Sequence, residues 1–138
     1  MDVRDREKWF AGRVAIVVGA TGGIGAAICE EFAERGAGLR MIGRDSERLA
    51  RIAADVQDAA ASVETAVVDL RDRLGLTDAI DGWADASVLV NAAGMNSPGA
   101  FTDISEADYD ALMEANVSGV FWASRAFVRA RRATASSG

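Results

Sequence analysis

The apolar run Val14-Ala15-Ile16-Val17-Val18 has no polar break and stops at Gly19, the pattern of a short strand covered on both faces. Past the glycines, Ile24, Ala27, Ile28 and Phe32 recur at three- and four-residue steps until Gly36, which predicts a helix with a glycine stop. Leu39 to Ile42 predicts a second strand, and Leu49, Ile52 and Val56 a second helix with Asp45 or Ser46 as its N-cap. Val63 to Val68 predicts a third strand, a short glycine-interrupted helix follows around Leu76 to Trp83, and Ser87 to Val90 predicts a fourth strand. Strand and helix alternate throughout, so the strands run parallel and right-handed crossovers place helices on both faces of an open α/β sheet.

From Ser105 to about Arg132, the apolar positions Leu112, Ala115, Val120, Phe121, Phe127 and Val128 predict one long helix, entered through the acidic stretch Glu106 to Asp110. Arg125, Arg129, Arg131 and Arg132 gather towards its far end, where positive charge offsets the helix dipole without forming a binding patch. Residues 133–138 have no hydrophobic period and are expected to form a frayed tail. Residues 1–11 form a charged N-terminal extension, leaving one domain over 12–132.

Composition narrows the function classes. The 138-residue chain is half apolar and 26% charged, as in a soluble single domain. Its net charge of −6 disfavours non-specific attraction to nucleic acid or anionic lipid. With one cysteine, Cys29, and no histidine, neither an internal disulfide nor an ordinary metal site is expected. Cys29 lies on a predicted helix beside Ile28 and Phe32 and reads as core. The charged start leaves no apolar stretch for a secretory signal, and no run spans a bilayer, so the expected location is cytoplasmic.

The chemistry-bearing segment is Gly19-Ala20-Thr21-Gly22-Gly23-Ile24-Gly25, set between a buried strand and a helix. There, bare backbone can approach a diphosphate while the helix N-terminus favours its charge; the alternative is a tight strand-to-helix turn. The spacing Gly-x-x-x-Gly-x-Gly resembles that of the short-chain dehydrogenase/reductase family. Three further elements carry the resemblance: Asn91-Ala92-Ala93-Gly94 closing the fourth strand, Asp69 ending the third, and Asn116 in Asn116-Val117-Ser118-Gly119. Together they span about Gly12 to Arg132.

The resemblance implies a Rossmann-like sheet, incomplete at about four strands in the order 3-2-1-4, and a nicotinamide dinucleotide as cofactor. The implied cofactor residues are Gly19, Thr21, Gly22, Gly23, Ile24 and Gly25 in the loop and Arg44 after the second strand. Asp69 and Leu70 follow the third strand, and Asn91, Ala92, Ala93 and Gly94 the fourth. In the family pattern Gly19, Gly23, Ile24 and Gly25 line the pyrophosphate, Asp69 reaches the adenine, and Asn91 and Gly94 flank the adenosine ribose. Without the family, Asp69 reads equally as a helix cap and Asn91 as a turn residue.

Cofactor choice turns on the end of the second strand, where a carboxylate would bind the ribose 2′-OH of NAD and repel the 2′-phosphate of NADP. This chain has Gly43-Arg44 there, which favours NADP(H) over NAD(H). Asp45 either caps the next helix or pairs with Arg44 and weakens that preference. The chain departs from the family at Val18, where a threonine is usual, and in the short segment between Asp69 and Asn91, which contains Gly75 and Gly82.

Family members exchange a proton through a Tyr-x-x-x-Lys pair assisted by a serine and an asparagine. This chain has one tyrosine, Tyr109, and one lysine, Lys8, far apart, so Asn116 is the sole member of the catalytic tetrad. The resemblance implies a fifth strand beginning where the chain stops at Gly138. The expectation is therefore a truncated piece, inactive alone, of a parent oxidoreductase acting on an alcohol or ketone. Its fourth strand is expected to form an exposed edge. The other readings are a non-catalytic NADP(H)-sensing module and a non-functional remnant. Phe121, Trp122 and Phe127 mark a homo-oligomer interface in the family pattern, with core packing expected for at least two of them.

Overall fold

A computed structural model describes residues 9–138; Lys8 and most of the expected N-terminal extension lie outside the described residues. Four strands, β1 (Val14–Val18), β2 (Gly38–Gly43), β3 (Ser62–Val67) and β4 (Val88–Asn91), form one parallel sheet in the order β3-β2-β1-β4. The Rossmann-like order expected above is therefore observed. β1 and β2 are buried along almost their whole length. This is why β1 reads as an unbroken apolar run and β2 as one broken only at Arg40, while β3, at an edge, alternates with polar residues.

Helices α1 (Gly23–Glu34) and α2 (Ser46–Val56) cover one face. Cys29 and Ala33 of α1 and Leu49, Ala53 and Val56 of α2 meet Ala15, Val17, Leu39 and Met41 of the sheet there. Burial pushes the Cys29 thiol up to about 12, in keeping with its place in the core. Helix α3 (Arg73–Asp81) covers the opposite face, where Leu76 and Ile80 join Ile16, Val18 and Ile42. Ala123 and Ala126, on a later helix, complete that core.

That later helical stretch is predicted as a single helix, and the structure divides it. Helix α4 (Glu106–Met113) starts at a capping box in which Ser105 and Asp108 satisfy each other's backbone N–H groups. A π-helical turn at Glu114–Ser118 inserts extra backbone before α5 (Gly119–Ser136). α5 runs on to Ser136, through most of the residues expected to form a frayed tail. The hydroxyls of Thr134, Ser136 and Ser137 donate to carbonyls four residues back, at 2.9 Å each. This extension also displaces the arginines from the helix end: no basic residue lies in the last turn, where a macrodipole contribution is concentrated. Arg125 instead lies 5.5 Å from the Trp122 ring centroid. Trp122 also lies 3.6 Å below the Arg73 guanidinium, Phe127 packs on the second core, and Phe121 is exposed. Among the described residues no helix is long and apolar enough to cross a membrane.

Arg40 is an unexpected core member, 5% exposed on an otherwise apolar strand. Its guanidinium is 2.9 Å from Glu64 of β3 and 2.8 Å from Asp85 of the loop before β4, and it donates to Ser62 at 3.0 Å and to the Leu39 carbonyl at 3.1 Å. One side chain thus ties β2, β3 and the approach to β4. Replacing it by methionine keeps much of the stem volume and removes the donors, while the half-exposed carboxylates regain water. We expect Arg40→Met to lower stability by about 1–2 kcal/mol in urea denaturation.

Candidate functional site

The chain leaves β1 for β2 and β3 on one side, then returns to β4 on the other, so the connections diverge above the β1/β4 pair. Such switch points open a crevice at the carboxyl ends of parallel strands. A crevice of about 330 Å³ is found there, lined by the ends of β1 and β2 and by the residues that follow each of the four strands.

Its floor is the glycine loop. Gly19 has φ 89°, and a side chain there would collide with the backbone of Ala93 at the end of β4. The N–H groups of Gly19 and Ala20 both donate to the Ile42 carbonyl, at 2.8 and 3.0 Å, locking the loop to β2. Gly25, in the first turn of α1, packs so closely that a Cβ would collide with the Gly19 carbonyl oxygen. Helix and strand can therefore meet only because both positions lack side chains. Gly22 is the N-cap of α1 and provides no side-chain cap, and no acidic residue occupies the first turn. By contrast, α2 and α3 are closed by Asp45 and Asp72, whose carboxylates each accept a backbone N–H at 3.0 Å. The dipole of α1 is thus left uncompensated by its own chain.

Of the residues expected from sequence, Gly19, Thr21 and Gly22 line the crevice, as do Arg44, Asp69 and Leu70 and the β4-end segment Ala92, Ala93 and Gly94. Others lie elsewhere. Gly23, Ile24 and Gly25 are outside the lining, with Ile24 73% exposed and Gly25 buried in the helix–loop contact. Asn91 also lies outside it, its amide donating to the Ser124 hydroxyl of α5 at 3.4 Å.

Asn116 does not line the crevice but holds part of its wall. From the π-helical turn, its side-chain oxygen accepts the Met95 N–H and its amide donates to the Met95 carbonyl, both at 2.8 Å. A Cβ at Gly94 would lie 2.8 Å from that same oxygen, so the bare backbone of Gly94 is what lets the clamp close. Arg48 and Met95, which also line the crevice, were not anticipated. The available signal for Arg48 was its position four residues after Arg44, across the Asp45 cap.

Electrostatics follow from how the acids are used. Asp45 caps α2 by accepting the Arg48 N–H, so both arginines remain at the crevice. Asp69 does not cap α3, since Asp72 does. Its carboxylate takes the Arg71 side chain and backbone N–H, and these bonds, with smaller help from the Arg44 charge, hold it down to about 2. Tyr109, on α4, is exposed and outside the crevice lining.

Residues 13–138 match the family model described as short chain dehydrogenase. Galactitol 2-dehydrogenase (L-tagatose-forming) of Cereibacter sphaeroides is 39% identical over 122 residues, covering 86% of this chain and 47% of that protein. L-Sorbose reductase from Gluconobacter frateurii, solved with NADPH and L-sorbose, superposes with a TM-score of 0.84 at 26% identity, covering 93% of this chain and 51% of that one. Carveol dehydrogenase from Mycobacterium avium, solved with NAD, gives 0.80 at 27% identity, covering 86% and 49%. The chain spans about half the length of the relatives it matches.

The glycine contacts separate two roles by mutation. Gly25→Ala forces a methyl into backbone and is expected to cost about 2–4 kcal/mol, whereas Gly23→Ala, which meets nothing within 4 Å, should stay within about 0.5 kcal/mol of the parent in urea denaturation.

Proposed function

Because the chain belongs to the short-chain dehydrogenase family, we propose that its crevice binds a nicotinamide dinucleotide, NADP(H) in preference to NAD(H). It would serve as the nucleotide-binding half of an oxidoreductase of secondary alcohols and ketones. The observation that carries this reading is the uncapped start of α1 beside a floor of bare backbone, with Arg44 and Arg48 at the same crevice. Phosphate suits such a site, because a helix start with no side-chain cap, together with its dipole, favours an anion.

The residues present fit the dinucleotide. Gly19, Thr21 and Gly22 offer the diphosphate an approach free of bulky side chains. Arg44 and Arg48 would hold a 2′-phosphate, and Asp45, between them in sequence, is engaged in capping. Asp69 and Leu70 would receive the adenine, and Ala92, Ala93 and Gly94 the ribose side of the crevice. Asn116 acts at one remove, fixing the Met95 backbone and with it the loop that carries those residues. A bound nicotinamide would supply the hydride exchanged with a carbonyl carbon. The names of galactitol 2-dehydrogenase and L-sorbose reductase support a secondary alcohol and its ketone as the substrate pair of the whole protein.

Proton exchange is a different matter. The chain's one tyrosine and one lysine stand 101 positions apart, at 109 and 8, and form no Tyr-x-x-x-Lys element. The 138-residue chain is therefore proposed to bind without turnover.

Titration followed by nicotinamide fluorescence should give NADPH binding about tenfold tighter than NADH, with Arg44→Ala removing most of the difference; tighter NADH binding overturns the cofactor assignment. The same sample should show no NADPH oxidation with carbonyl compounds. Turnover abolished by Asn116→Ala would contradict the non-catalytic reading.

A further inference from the structure

Asp69 is the one carboxylate at the crevice whose oxygens are gripped by a neighbouring side chain rather than used as a helix cap. Arg71 meets it as a fork: Nε donates to Oδ1 at 3.2 Å and Nη2 to Oδ2 at 3.0 Å, while the Arg71 backbone N–H donates to Oδ1 at 2.9 Å. Each carboxylate oxygen has two acceptor positions. Oδ1 is filled by two donors, and Oδ2 keeps one position free.

The direction of approach matters as much as the count. Asp69 lines the crevice, whereas Arg71 lines a separate depression with Arg73, Asp110 and Glu114. Leu70 borders both. Glu114, at the start of the π-helical turn, lines the same depression and attracts the Arg71 charge. The guanidinium that holds the carboxylate thus belongs to a residue of the neighbouring depression, while Asp69 itself lines the crevice with one acceptor position of Oδ2 unfilled. On the reading of the crevice as a dinucleotide site, we infer that Arg71 is a positioning residue that makes Asp69 select a purine bearing an exocyclic amino group. A fixed, ionised carboxylate with one free acceptor position accepts an N–H and has no proton to offer. Adenine supplies that donor, whereas a 6-oxo purine presents an oxygen and leaves two acceptors facing each other.

Arg71 makes a second contribution that must be separated from the first. Its charge compensates Asp69, which otherwise repels any phosphorylated ligand, whatever its base. Loss of charge weakens all dinucleotides alike; loss of the fork weakens only the discrimination between bases. Lysine keeps the charge without the planar fork, so Arg71→Lys separates the two.

The test measures NADPH and nicotinamide hypoxanthine dinucleotide phosphate, reduced form, against the 138-residue chain and its Arg71→Lys, Arg71→Met and Asp69→Asn variants. Thermal melts verify that each is folded. The parent chain is expected to prefer the adenine form about tenfold, the low end for a hydrogen bond to a charged group at a half-exposed site. That preference should fall below about threefold in both Arg71 variants, with Arg71→Lys retaining the overall affinity that Arg71→Met loses. Asp69→Asn, whose amide can turn a donor to the 6-oxo group, should erase the preference independently of Arg71. A parent chain that binds both forms equally, or Arg71 variants that keep the parent's ratio, overturns the inference and leaves the dinucleotide reading standing. If the parent binds neither form, the dinucleotide reading fails and this inference with it.

Discussion

The site depends on one steric constraint: the first turn of α1 rests on the carbonyl of Gly19 at a distance that admits no side chain at Gly25. A larger residue there would push the helix away from the end of β1, and three other features would shift with it. The uncapped amide end of the helix would leave the crevice. The loop would lose its two hydrogen bonds to Ile42, which set it against β2. Gly19 would lose its close approach to Ala93 at the end of β4. Because interiors pack densely and absorb little displacement, the anion-binding geometry and the fit of helix to sheet are one property.

Clamps at the two ends of the sheet preserve that geometry without a ligand. Near the lower end, Arg40 joins β2 to Glu64 on β3 and to Asp85 before β4. At the upper end, Asn116 grips both backbone groups of Met95 just past β4. The two lie on different elements and use different chemistry, but each ties neighbouring segments that the ladder alone joins weakly at its ends. A parallel sheet with both ends tied can present a crevice already shaped for its ligand, which reduces the ordering cost of binding.

Hydrophobic patterning located every strand to within a residue or two, because a buried strand such as β1 leaves an apolar run that only a turn interrupts, while an edge strand such as β3 alternates. Gly36 was legible as a helix stop for a related reason, since its φ of 84° suits a residue without a side chain. What patterning missed depends on contacts distant in sequence. The π-helical turn is paired with Met95, 21 residues away, and no local periodicity announces such an insertion. Arg40 gave no signal of its own, because its partners lie on β3 and before β4. Gly25 was legible as necessary, yet motif position could not say whether it faces a phosphate or a backbone carbonyl, and it faces the carbonyl. Ile24 belongs to the same motif and is exposed. At the C-terminal end no apolar face marks the last turn of α5, where serine and threonine hydroxyls donate to carbonyls four residues back.

A net charge of −6 repels a polyanion at long range, where net charge sets encounter with nucleic acid or membrane. At the crevice the relevant range is shorter, because salt screens exposed charges beyond about 8 Å. Within that range the acids are occupied. Asp45 closes the N-terminus of α2 and Asp69 is held in the Arg71 fork. The carboxylates that would repel phosphate are thereby turned to structural use, while Arg44, Arg48 and the open end of α1 stay available. Local allocation of hydrogen bonds, more than the total of charges, makes the crevice receptive to an anion.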